Sequence, residues 1–69
     1  MTHNAVESSF IKSIAYSRGQ RVLEIEFSSG DVYQYFGVSR HRRDCLMAAE
    51  STGRYFNAHI RSKYEFKKL

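Results

Sequence analysis

A single cysteine, Cys45, has no partner in the 69-residue chain, so no disulfide staples it and a reducing, cytoplasmic setting is expected. No run approaches the ~20 apolar residues of a membrane-spanning helix, so no membrane association is expected. The opening residues, Met1-Thr2-His3-Asn4-Ala5-Val6-Glu7, have neither the basic nor the apolar stretch of a secretory leader. Internal repeats and low-complexity runs are missing, and so are a phosphate loop, a dinucleotide fingerprint and a calcium loop. Without a staple, a chain this short stands near the lower limit for folding on one hydrophobic core. Aromatic mass has to make up the difference. The chain carries five Phe and five Tyr, and each ring buries about 150–250 Å².

Charge is unevenly placed. Residues 1–38 carry three Lys or Arg against four Asp or Glu, whereas residues 39–69 carry eight against three, for a net charge of +4. A second half this basic points to nucleic acid or another polyanion.

The chain divides around Val32-Tyr33-Gln34-Tyr35-Phe36-Gly37-Val38. This stretch is rich in β-branched and aromatic residues, and a turn signal precedes it. Upstream, the even positions Phe10, Lys12, Ile14 and Tyr16 give a mostly apolar face broken once. Ser17-Arg18-Gly19-Gln20 reads as a turn. Leu23, Ile25 and Phe27 then alternate with Glu24 and Glu26, as in a half-buried strand. With Tyr16 paired to Arg21, Ile14 would fall opposite Leu23. Two registers remain for the next hairpin. A three-residue loop, Ser28-Ser29-Gly30, pairs Phe27 with Asp31 and turns Tyr33 and Tyr35 to the core; a left-handed glycine suits it. A two-residue loop, Ser29-Gly30, pairs Phe27 with Val32 and makes Tyr33 and Tyr35 an outward stacking platform, because a one-residue slip reverses every side chain.

Ser39 reads as the N-cap of a helix carrying Cys45, Leu46 and Ala49 on one face. Its first turn holds Arg40, Arg42 and Arg43, where the helix dipole disfavours cations by about 0.3–1 kcal/mol each. A second helix near 52–61, capped by Ser51, sets Tyr55 and Phe56 above His59 and Ile60. The expected architecture is an α+β domain: a three-stranded antiparallel β-meander followed by two α-helices packed on one face. A flexible arm (1–8) and a basic tail (67–69) flank the domain at 9–66.

Ile11, Ile14 and Tyr16, then Leu23, Ile25 and Phe27, then Gly30, Tyr33, Tyr35, Phe36 and Val38 form one part of a longer pattern. Its second part is Ala49, Ser51, Gly53, Tyr55-Phe56-Asn57, Ile60-Arg61 and Tyr64. Over residues 9–66 this pattern resembles the KTSC domain, a module of the C-terminus of some lysyl-tRNA synthetases and of small bacterial or phage proteins. Ser39 stands where that family often has proline. The resemblance carries no established activity; its association with a tRNA-charging enzyme implies RNA, tRNA-like in form, as ligand.

The residues expected at such an interface are Arg40, Arg42, Arg43, Arg54, Arg61, Lys63, Tyr64, Lys67 and Lys68, joined by Tyr33 and Tyr35 in the outward register. His41 and Cys45, four apart on a helix, could meet as a nucleophilic pair, but nothing supplies an orienting residue or an oxyanion hole. Adding His59 gives three zinc ligands where a structural site wants four. No catalytic residue, metal or cofactor is therefore expected. The rival reading is a protein-interaction or homodimerisation module using aromatics too numerous for so small an interior.

Overall fold

The computed structural model describes residues 1–69. In chain order it contains β1 (Asn4–Ala5), β2 (Ile11–Ser17), β3 (Val22–Phe27), β4 (Val32–Phe36), α1 (Arg40–Ala48), α2 (Thr52–His59) and β5 (Phe66–Lys68). The expected three-stranded meander is corrected by this order. All five strands form one antiparallel sheet in the order β1-β2-β3-β4-β5, and the helices lie in sequence between β4 and β5. The two added strands come from the segments expected as arm and tail. They are only two and three residues long and every residue in them is exposed; β1 is too short to leave a periodic signal, and β5 is preceded only by the brief Tyr64-Glu65-Phe66 alternation.

The second hairpin adopts the three-residue loop. Phe27 N donates to Asp31 O at 2.8 Å, and Gly30 sits at φ +97°. Tyr33 therefore opposes Ile25 and Tyr35 opposes Leu23 on the helix-covered face, and the outward tyrosine platform does not form. The first hairpin differs from the expectation. Tyr16 pairs with Leu23 and Ile14 with Ile25, so the register moves by two residues and each side chain keeps its face. A bulge between Ile11 and Ser13 accounts for the broken apolar face of β2. It sets Lys12 aside as the extra residue and turns Ile11 inward, where it is fully buried.

Both helices start on serine caps. Ser39 Oγ accepts from Arg42 N at 3.1 Å and Ser51 Oγ from Arg54 N at 3.3 Å, each cap worth about 1 kcal/mol. The core joins Ile11, Ile14, Leu23, Ile25 and Tyr35 of the sheet to Val38, Leu46, Phe56 and Ile60. Phe56 is its centre, with ring centroids 5.4 Å from Tyr35, 5.7 Å from Phe27 and 6.5 Å from Phe10. No helix is long and apolar enough to cross a membrane.

Candidate nucleic-acid interface

The arginines at the start of α1 are held by aromatic rings as well as by charge. Arg42 Nη1 donates to Tyr55 Oη at 2.9 Å, with its guanidinium 5.9 Å from that ring's centroid. The hydroxyls of Tyr55, first, and of Tyr64 raise its pKa further. Arg43 lies 5.2 Å over the Tyr16 ring. Its Nε is 3.1 Å from Asp44 Oδ1 but off-line, so the contact is an ion pair without a hydrogen bond. Arg40 Nε reaches the same carboxylate at 3.9 Å, its side chain 62% exposed. One acidic side chain thus serves two guanidinium groups.

Arg43 also lines a cleft of about 240 Å³ together with Arg18, Thr2, Asn4 and Met47. The folded chain brings Arg18, 25 positions away in sequence, into the same cleft as Arg43. Sequence reasoning missed this because the meeting depends on how α1 lies across the sheet.

The remaining expected residues are distributed elsewhere. Arg54 lines a shallow cleft with Glu50, Tyr55 and His59. Arg61 lies beyond the end of α2, bonded only to Asn57 Oδ1 at 3.4 Å, and lines a different groove. Lys63 is exposed in the following turn and Tyr64 is half-buried against the core. Lys67 stands opposite Gln34 on the helix-free face. Lys68 stands opposite Tyr33, with Nζ 3.6 Å from Asp31 Oδ1.

The groove that Arg61 lines measures about 490 Å³ and is walled by Phe10, Phe27, Tyr33, Tyr35, Phe56 and Phe66, with Asp31 at its rim. Tyr33 and Tyr35 stack at 6.4 Å and 21°, and the Phe66 ring leans on both at 5.6 and 5.8 Å. Burial pushes the Tyr35 hydroxyl pKa up, and nearby Arg61 opposes that shift. Phe10, Phe27 and Phe66 carried no functional signal in sequence, since the first two read as ordinary strand faces and the third as part of the tail.

The helix-free face is polar. Glu24 accepts from Gln34 Nε2 at 2.9 Å and from His3 Nε2, and these bonds, the His3 one foremost, lower its pKa against the effect of burial. Ser13 Oγ donates to Glu26 Oε1 at 2.8 Å and lies 2.8 Å from His3 Nδ1. Cys45 Sγ is 3.6 Å from His41 Nε2, as the helical spacing implies. No group of three or more His, Cys, Asp and Glu is arranged to hold a metal ion.

Comparison with known proteins supports the fold. A crystal structure of a KTSC domain protein from Yersinia pestis superposes with a TM-score of 0.93 at 39% identity, covering 99% of this chain and 96% of that one. A lysine–tRNA ligase of Nostoc punctiforme is 41% identical over 63 residues, 91% of this chain but only 11% of the ligase. An uncharacterized protein of Stutzerimonas stutzeri is 42% identical over 57 residues, 83% of this chain and 80% of that protein. The family model of the KTSC domain matches residues 7–64, so the chain belongs to the KTSC domain family.

Proposed function

We propose that the protein is a non-catalytic accessory module that binds structured RNA, tRNA-like in form, through arginines gathered around the start of α1. The observation that carries this reading is the set Arg18, Arg40, Arg42 and Arg43 with Asp44 as the one carboxylate among them. Two of the four are immobilised on tyrosine rings, which lowers the side-chain entropy lost on contact with phosphate. The helix dipole at the same end favours an anion. The similarity to a segment of lysine–tRNA ligases is a second support, since those enzymes by name act on tRNA.

The test is affinity for a structured RNA across a salt series. Four phosphate contacts give a log–log slope of about −3 to −4. Arg18→Ala with Arg40→Ala, the two that hold no tyrosine ring, flattens it by about 2. A flat salt response in the unmodified protein defeats the reading.

A contact surface for a second copy or another protein is the alternative. It draws on the exposed Phe36, Phe66 and Leu69 around the short edge strand β5. Sedimentation velocity over a range of concentrations decides it: a stable dimer with no RNA response favours this second reading.

A further inference from the structure

We propose that the aromatic groove under Phe66 is a base-binding site, taking one unpaired base of a single-stranded RNA while Arg61 meets the flanking phosphate. The inference rests on the RNA-binding reading and adds a second, chemically different contact to it. Four features of the groove select this occupant.

Size comes first: about 490 Å³ lies within the range of about 300–1,000 Å³ that small-molecule sites occupy. Second, its walls are flat rings, and Phe66 stands 57% exposed at the edge, open to a further stacking partner. Base–aromatic stacking is the commonest way proteins hold single strands without regard to sequence.

Third, the groove has polar groups without partners. The Tyr16 hydroxyl donates to Val38 O and the Tyr55 hydroxyl accepts from Arg42, whereas those of Tyr33 and Tyr35 bond to no protein group. Tyr35 is only 3% exposed, so an aliphatic occupant would seal its hydroxyl unpaired, at a cost. A base carries donors and acceptors around its ring edge and satisfies both hydroxyls.

Fourth, the charge suits an anion. Arg61 has no carboxylate partner. Asp31, the one acid at the rim, is already paired with Lys68. A ligand cation would face a guanidinium that no carboxylate neutralises and a carboxylate already paired; a nucleotide phosphate would meet the same guanidinium as its counter-charge.

The experiment uses the full chain and four probes: fluorescein-labelled eight-nucleotide oligo(rU) and oligo(rA), an abasic oligomer of equal length, and an RNA duplex. Phe66 is varied to Ala and to Leu, the second keeping an apolar side chain without a ring, with thermal melts to confirm folding. Both variants are expected to weaken oligo(rU) and oligo(rA) by about 5- to 150-fold and to leave duplex binding unchanged. The abasic oligomer should bind the unmodified protein as weakly as oligo(rU) binds Phe66→Ala. Equal affinity for abasic and base-bearing oligomers, or unchanged affinity in both Phe66 variants, overturns the groove assignment while salt-sensitive duplex binding keeps the broader reading alive. Loss of self-association in Phe66→Ala with unchanged RNA affinity also overturns it, giving the groove to a second copy. If no RNA binds even at low salt, both readings fall together.

Discussion

On one side of the sheet Tyr16, Leu23, Tyr35 and Phe66 stand in a cross-strand row; one residue along, on the other side, the row is Ala15, Glu24, Gln34 and Lys67. The first row is covered by two helices as far as Tyr35 and closes on Phe56, with Phe66 left exposed at its end. The second carries no helix and is tied by side-chain hydrogen bonds that radiate from Glu24 to His3 and Gln34. The contrast assigns different tasks to the two faces. Apolar contact on the first is indifferent to pH and salt, and leaves an aromatic groove where the covering helices stop short. The second face holds Glu24 and Glu26 in side-chain hydrogen bonds, with Lys12 beside Glu26 and Lys67 opposite Gln34.

The largest test of this division is Phe56→Ala. Phe56 is 1% exposed and touches three other rings, so its truncation is expected to cost about 3–5 kcal/mol. A domain of this length has about 3–10 kcal/mol in total, so the variant should lose at least about a third of its stability by urea titration. A loss below about 1 kcal/mol would mean that the helical face is not the main store of stability.

A smaller effect is expected at Gly53, in the first turn of α2. A Cβ built there lies 2.7 Å from Phe10 Cε1 and 3.1 Å from Ser8 Oγ. The glycine is required by the close approach of a ring, as its backbone is ordinary helix. Gly53→Ala gains helix propensity of up to about 1 kcal/mol but overpacks by about 1–3 kcal/mol. The net loss of about 1 kcal/mol lowers the melting temperature by about 4–8 °C. Phe10 walls the groove, so the displaced ring should also weaken oligo(rU). Adding Phe10→Leu should recover much of the lost stability; failure to do so places the strain elsewhere.

What sequence alone could reach follows from these contacts. The three long strands, the serine caps and the Gly30 loop are written in local pattern, because each is fixed by residues within a few positions of one another. The Lys12 bulge is visible only as an interruption in the alternation of β2, and its consequence, that Ile11 and Ile14 both point inward, needs the partner strand. Strands β1 and β5 are stabilised by the sheet edges they meet; β1 leaves no alternation to read, and β5 is hinted at only by Tyr64-Glu65-Phe66, an alternation that suits an extended edge or a mobile tail equally. The candidate sites were less legible. Arg18 joins Arg43, and Phe10, Phe27, Phe56 and Phe66 join one groove, through tertiary packing. Arg54 and Arg61, seven apart, suggest one helical face, yet α2 ends at His59 and the two line separate clefts.

The smallest expected effect belongs to the polar face. The Glu24 carboxyl is held below its usual value, chiefly by the His3 hydrogen bond. A carboxylate with a depressed native pKa adds stability above its unfolded value and loses it as pH falls through the native one. His3→Ala removes the main cause, so it should lower stability at neutral pH by about 0.5–1 kcal/mol, the scale of a partly exposed pair. In urea titrations the gap between the two proteins should then close as the pH drops into the strongly acid range and Glu24 protonates. The deficit of Phe56→Ala should persist over the same range, because no titrating group enters it. A gap for His3→Ala that stayed constant with pH would mean that His3 holds β1 by packing alone, and the distinction between a titratable face and an inert one would be lost.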